Sequence, residues 1–201
     1  MIKTLLKVFF ALYFLNVGLN AKANKLMRCD TLAADTIPQR VAADGRPFPT
    51  PPDNPHRLFY LQRTPNINAL CYDVNIDKKT GQADEDSPIH VYWLQYAKHN
   101  GEPEELNFIQ RRFAYGYSSK ALGNGKYDIR LVSYKKIPFT LMKGADGKYH
   151  IFATIAKKHL QLKSIFIQIN GGSMWSPNVI FVEMKGTDPA NGKEVTERFK
   201  P

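Results

Sequence analysis

Two dipeptides, Asn124-Gly125 and Asp146-Gly147, constrain the fold of this chain more than any other feature. A two-residue hairpin turn of type I′ needs positive φ at both central positions, and such pairs adopt it at least cost. The segment ahead of Lys126 is therefore expected to pair with the one behind it, and residues 138–143 (PFTLMK) with 148–156 (KYHIFATIA). Around these hairpins lie further short runs rich in aromatic and β-branched residues, at 57–63, 69–76, 89–97, 126–135, 160–170 and 178–186. In 69–76, Leu70, Tyr72, Val74 and Ile76 share one face and Cys71, Asp73 and Asn75 the other, the alternation of a half-buried antiparallel strand. Residues 89–97 (IHVYWLQYA) are apolar on both faces, as in a central strand covered from both sides. About eight strands so closely spaced predict an antiparallel β-sandwich or a closed β-barrel.

One segment changes period. In GEPEELNFIQRRFAYGY, Leu106, Ile109 and Phe113 fall at helical spacing, Pro103 suits a first turn, and Gly116 can end the element. Glu104 and Glu105 stand near its positive end and Arg111 and Arg112 near its negative end. The spacing predicts one short amphipathic helix of about three turns.

The organisation ahead of the strands has two parts. Lys3 and Lys7 precede an apolar run from Val8 to Leu19, and Ala21 and Ala23 frame a small-residue cleavage site, so residues 1–23 read as a signal peptide. The chain is then expected to be exported, periplasmic or extracellular, and no other apolar stretch approaches membrane length. Residues 24–56, with five prolines between Pro47 and Pro55, read as a Pro-rich N-terminal arm packed on the surface of a single β-rich domain at 57–201. Outside the cytoplasm a disulfide between Cys29 and Cys71 is permitted, although a lone strand cysteine equally serves as buried filler. The formal charge of +10 is spread in lysine pairs such as Lys78-Lys79 and Lys157-Lys158, with no long basic run. That pattern is a solvated basic surface and gives nucleic acid no footprint.

The segments RLFYLQRTPNINALCYDVN, YWLQYA, ELNFIQRRFAYG, VSYKKI, INGGSMWSPNV and KGTDPANGKEVTERF together resemble a family of secreted bacterial proteins, domain of unknown function 4833. The resemblance covers about residues 48 to 201. It implies a shared fold and an exported location, and no activity or catalytic residue to carry over.

Candidate chemistry is sparse. The triplet apolar-Gln-Arg occurs at Leu61-Gln62-Arg63 and again at Ile109-Gln110-Arg111, and two guanidiniums aimed at one spot would form an anion site. The structural alternative pairs Arg63 with Asp73 across the first hairpin and leaves Arg111 to the helix dipole. The loop NGGSMWSPN offers backbone donors and Trp175 as a stacking platform, or a strand connection whose tryptophan plugs the core. Of the histidines, His56, His90, His99, His150 and His159, none form an H-x-x-x-H pattern. No metal site, cofactor motif, G-x-S-x-G elbow or phosphate loop can be read. The reading is thus an exported protein, non-enzymatic, binding a small apolar or acidic ligand or an envelope component. Its alternatives are a hydrolase or transferase without a recognisable motif, with His90 or His150 beside an acid or serine in a cleft, and a binder of anionic polymers or lipid headgroups.

Overall fold

The computed structural model describes residues 40–173 and 176–201. The expected signal peptide, Cys29 and Trp175 lie outside them. Eleven strands form one sheet: β1 (Arg57–Arg63), β2 (Ala69–Val74), β3 (Ile89–Gln95), β4 (Glu102–Glu105), β5 (Tyr117–Gly123), β6 (Lys126–Leu131), β7 (Phe139–Lys143), β8 (Tyr149–Ile155), β9 (Lys158–Gly172), β10 (Pro177–Thr187) and β11 (Glu194–Phe199). All eight expected strands are present. β4, β5 and β11 were not among them, although β5 answers the pairing expected ahead of Lys126.

β9 is the root of the sheet. Residues 161–172 pair antiparallel with β10 along one edge. The other edge is shared, with β8 on residues 158–161 and β1, in the one parallel pairing, on residues 164–167. Two wings leave that edge, β1-β2-β3-β4 and β8-β7-β6-β5, while β11 extends β10. They curl toward each other into an open half-barrel of nine strands, which replaces the expected sandwich or closed barrel. Closure fails for a physical reason: the outermost strand of one wing, β4, is only Glu102-Pro103-Glu104-Glu105, and proline and charge blunt an edge against pairing.

Tyrosines span the opening instead of a backbone ladder. The Tyr117 hydroxyl donates to the Ile89 carbonyl at 2.8 Å and accepts from the Ile89 amide at 2.9 Å. Tyr149 donates to Gln82 Oε1 at 2.8 Å and Tyr127 to the Ala83 carbonyl at 3.3 Å. Between the wings lies one apolar core, with Leu58, Leu70, Ile129, Leu141, Ile151 and Leu162 buried. Phe59 stacks on Tyr72 at 4.3 Å and reaches Phe139 of the other wing at 6.2 Å, so the wings share side chains as well as a strand.

Between β4 and β5 the expected short helix is present but starts later and is shorter than three turns. The chain forms a single α-helical turn, α1 (Phe108–Gln110), continued by a π-helical turn over Arg111–Tyr115. Residues 102–105 pair with β3, which removes the first turn of the expected helix, and Asn107 then starts α1 through a capping box with Gln110. Of the periodic apolar residues only Leu106 is buried. Ile109 and Phe113 are 52% and 55% exposed, and Phe108 beside them 72%.

Residues 40–56 lie across the outer surface of β1, β9 and β10. Phe48 meets Phe166 edge-on at 5.1 Å, the Gln62 side chain donates to the Pro49 carbonyl at 2.7 Å, and Arg40 pairs with Glu183 while its guanidinium covers the Phe166 ring at 4.1 Å. Arg198 binds the same carboxylate at 2.6 Å. Burial pushes Glu183 up, but its hydrogen bonds from Arg40 and Arg198 outweigh burial and hold it below the usual glutamate value. A depressed carboxylate contributes stability above its unfolded pKa of about 4.3 and loses it as pH falls through the folded value. Urea titrations at pH 7 and at about pH 3 should therefore show Glu183→Gln less stable than wild type at neutral pH and nearly equal to it in acid. An equal gap at both would mean that the two arginines do not stabilise the ionised form.

Candidate functional site

The alternation of β1 places Phe59, Leu61 and Arg63 on the inner face, and by period Arg57 would join them. A register shift between Arg57 and Phe59 turns Arg57 outward instead, opposite Asp73 of β2. There its Nε donates to Asp73 Oδ1. Asp73 Oδ2 accepts from Asn54 Nδ2 at 2.6 Å and from the Tyr92 hydroxyl at 2.9 Å, and Arg57 Nη2 donates to that hydroxyl at 3.0 Å. Asp73 is 6% exposed, so this is a closed network in which a buried carboxylate serves three donors. Burial works against the Arg57 cation, yet the Asp73 hydrogen bond prevails and raises its pKa.

Above that floor lies a cleft of about 290 Å³, lined by Asn54, His56, Asp73, Val74, Asn75, Ser87, Ile89, His90 and Arg111. Each polar group that projects into the cleft is held by a separate segment. His56 follows Asn54 at the end of the arm, its amide donating to Asn54 Oδ1 at 2.9 Å. His90 projects from β3, stacks on Tyr92 with ring centres 5.0 Å apart, and has Nε2 at 2.7 Å from Glu105 Oε1 of β4. Arg111 comes from the π-turn, 3.6 Å from the other oxygen of Glu105. One exposed carboxylate thus orients an imidazole and a guanidinium, and the carboxylate in the lining is already saturated. The charged group left to meet an incoming molecule is the Arg111 guanidinium, with the His56 and His90 rings beside it, which suits a carboxylate or a phosphate.

The residues singled out in sequence are dispersed. Gln62 is buried on the outer face and spent on Pro49, and Gln110 closes the capping box of α1. Arg111 enters the cleft. Arg63 sits on the inner face at the opposite end of β1, over the Tyr115 ring at 5.3 Å, with its Nε buried and without a hydrogen-bond partner. The expected Arg63–Asp73 pair does not form: Asp73 stands opposite Arg57 at the far end of the hairpin and pairs with it on the outer face, while Arg63 lies on the inner face. Arg63→Met keeps an apolar stem on Tyr115 and removes the orphaned donor, and should change stability by between zero and a gain of about 1 kcal/mol. A loss above about 1 kcal/mol in a urea titration would mean that the guanidinium has a partner. Cys71 is fully buried and has no disulfide partner among the described residues, and burial pushes its thiol up to about 12, so as a thiol it offers no thiolate at neutral pH. The Cys29 half of the permitted bridge lies outside the described residues.

Asn54, Arg57, Tyr92 and Glu105 were not foreseen. The alternation of 69–76 already placed Asp73 opposite its apolar face, and a cation nearby in the sequence, Arg57, was the available signal.

His150 of β8 has its own acid, Asp146, at 2.9 Å. A second cavity, a groove of about 370 Å³ lined by Tyr134, Lys136, Ile137, Pro138, Thr154, Met184, Glu197 and Phe199, is apolar. Its Glu197 is committed to the Ala156 amide at 2.7 Å. Among the described residues no group of three or more His, Cys, Asp or Glu could hold a metal ion, and no helix is long and apolar enough to cross a membrane.

No curated protein and no solved structure matches this chain. The match that exists is to a sequence family and spans residues 59–198, from the first strand to the last: the chain belongs to the family described as Domain of unknown function (DUF4833).

Proposed function

We propose that the chain is an exported, non-enzymatic binding protein whose ligand presents a carboxylate or phosphate to the cleft between the arm, β3 and the π-turn. The observation that carries this is the state of the lining: Asp73 is saturated by Arg57, Asn54 and Tyr92, which leaves His56, His90 and Arg111 facing the ligand. Arg111 supplies the planar fork that an oxyanion takes up bidentately, and the histidines supply ring donors around it. The leader-like residues 1–23 support export, which the N-terminal mass of the protein recovered from outside the cytoplasm would test. Binding is tested by calorimetric titration with inorganic phosphate and citrate. Wild type should bind at low ionic strength and weaken with salt, and Arg111→Gln should weaken binding about tenfold or more. Equal affinity in wild type and variant would remove the cleft from consideration.

One observation favours a second reading, a hydrolase. His90 carries a carboxylate partner, Glu105, and shares the cleft lining with the Ser87 hydroxyl. Covalent labelling of Ser87 by a fluorophosphonate probe, lost in His90→Ala, would favour hydrolysis over binding alone.

A further inference from the structure

The turn that carries Arg111 into the cleft also carries the most conspicuous apolar surface of the described chain. Phe108 is 72% and Ile109 52% exposed, with Phe113 at 55%, so three large apolar side chains crowd six residues. Folding in water does not favour this, and the sequence spacing would have buried Ile109 and Phe113. Cations rim the patch. Arg111 lies within it, and Arg112 places its guanidinium 5.7 Å from the centre of the Phe113 ring. On β4, Glu105 is engaged by His90 and Arg111, and Glu102 and Glu104 alternate to opposite faces of the strand from their neighbours Pro103 and Glu105.

Resting on the cleft reading above, we infer that the anionic group entering the cleft belongs to a lipid bilayer: the α1 and π-turn segment docks on an anionic membrane surface, with Phe108 and Ile109 in the interface and Arg111 and Arg112 at the headgroup phosphates. Size selects this occupant over a protein. A stable protein interface buries about 800 Å² on each partner, and Phe108, Ile109 and Phe113, already partly covered, have at most about half of that left to bury. A bilayer needs no matching surface. It accepts a few apolar side chains at the acyl boundary and retains them through basic residues that reach the phosphates. The formal charge of +10, which is still +7 once Lys3, Lys7 and Lys22 leave with residues 1–23, adds attraction toward an anionic leaflet.

The test uses the processed chain, residues 24–201, with vesicles of mixed phosphatidylglycerol and phosphatidylcholine, vesicles of phosphatidylcholine alone, and inorganic phosphate as the soluble probe. Wild type should sediment with the anionic vesicles only, less so with added salt. The double variant Phe108→Ser, Ile109→Ser should lose about tenfold or more of that binding while its phosphate affinity and melting midpoint stay unchanged, because both side chains are exposed. Arg111→Gln should weaken both vesicle and phosphate binding. Sedimentation of the double variant at the wild-type level overturns the docking. So does wild type that takes up phosphate but leaves the vesicles in the supernatant, in which case the cleft reading survives alone. Wild type that binds neither overturns both, and equal sedimentation with phosphatidylcholine alone removes the headgroup from the proposal.

Discussion

Asp73→Ala should destabilise the protein by about 3 to 5 kcal/mol, the cost of leaving a buried cation without its counterion. Asp73 is the shared acceptor of Arg57, Asn54 and Tyr92, and its removal strands three donors at once. The Arg57 side chain is only 13% exposed and cannot swing into water without breaking the strand register that turned it outward. The tyrosine and asparagine donors add the smaller penalty of unpaired neutral groups. Asp73→Asn retains an acceptor but not the charge, so it should lie between wild type and alanine. The double variant Arg57→Met, Asp73→Leu should recover much of the loss, because an apolar pair of similar volume has no charge to strand. Urea titrations of the four proteins decide the matter. A loss below about 1 kcal/mol for Asp73→Ala would mean that water reaches Arg57 and that the cleft floor is not closed.

Gly116→Ala should cost about 3 kcal/mol or more, because a Cβ built at Gly116 lies 2.0 Å from the Arg111 carbonyl oxygen. The objection is one of space, since Gly116 has φ −74, which any residue adopts. The obstacle is also backbone, so no side-chain rotation relieves it. The carbonyl must retreat by about 1 Å for ordinary contact, and it belongs to the residue that enters the cleft. The variant should therefore lose phosphate affinity as well as stability. Serine at 116 should behave alike, whereas Gly45→Ala, with nothing within 4 Å of its Cβ but φ +80, should show only the smaller cost of backbone strain. A melting midpoint for Gly116→Ala within about 2 °C of wild type would mean that the π-turn relaxes freely.

The strands of the core were legible because burying one face imposes alternation, and the Asn124-Gly125 turn because both residues take positive φ, 53 and 67. At Asp146-Gly147 only Gly147 does, and the loop there is wider, with the Gly144 amide reaching the Lys148 carbonyl at 2.8 Å. The tight turn between β8 and β9 went unseen because Ala156 and Lys157 supply its positive φ values without a glycine to announce it. β4, β5 and β11 are edge strands; EPEE and YSSKALG are almost wholly exposed and EVTERF is mostly half-buried, so none shows the alternation of buried and exposed residues that marks a strand. The helix was overread for the opposite reason. Leu106, Ile109 and Phe113 have the spacing of a buried face, but pairing of residues 102–105 with β3 removes the turns that would have docked it. The cleft depended on a one-residue shift at Arg57, and a shift that moves a side chain from one face to the other leaves no trace in composition.

The shared edge of β9 also orders events in time. Each wing is a string of hairpins whose partners are near neighbours in sequence, and such contacts form quickly. β1 must wait for residues a hundred positions downstream, since Tyr60 pairs with Ser164 and Arg63 with Ile167. While the chain emerges from its N-terminus, the wing that holds the cleft is a sheet fragment with one bare edge, and Leu61 and Phe59 have no opposite wing to cover them. The half of the molecule that holds the cleft is thus made first and completed late, because β1 keeps a bare edge until β9 arrives.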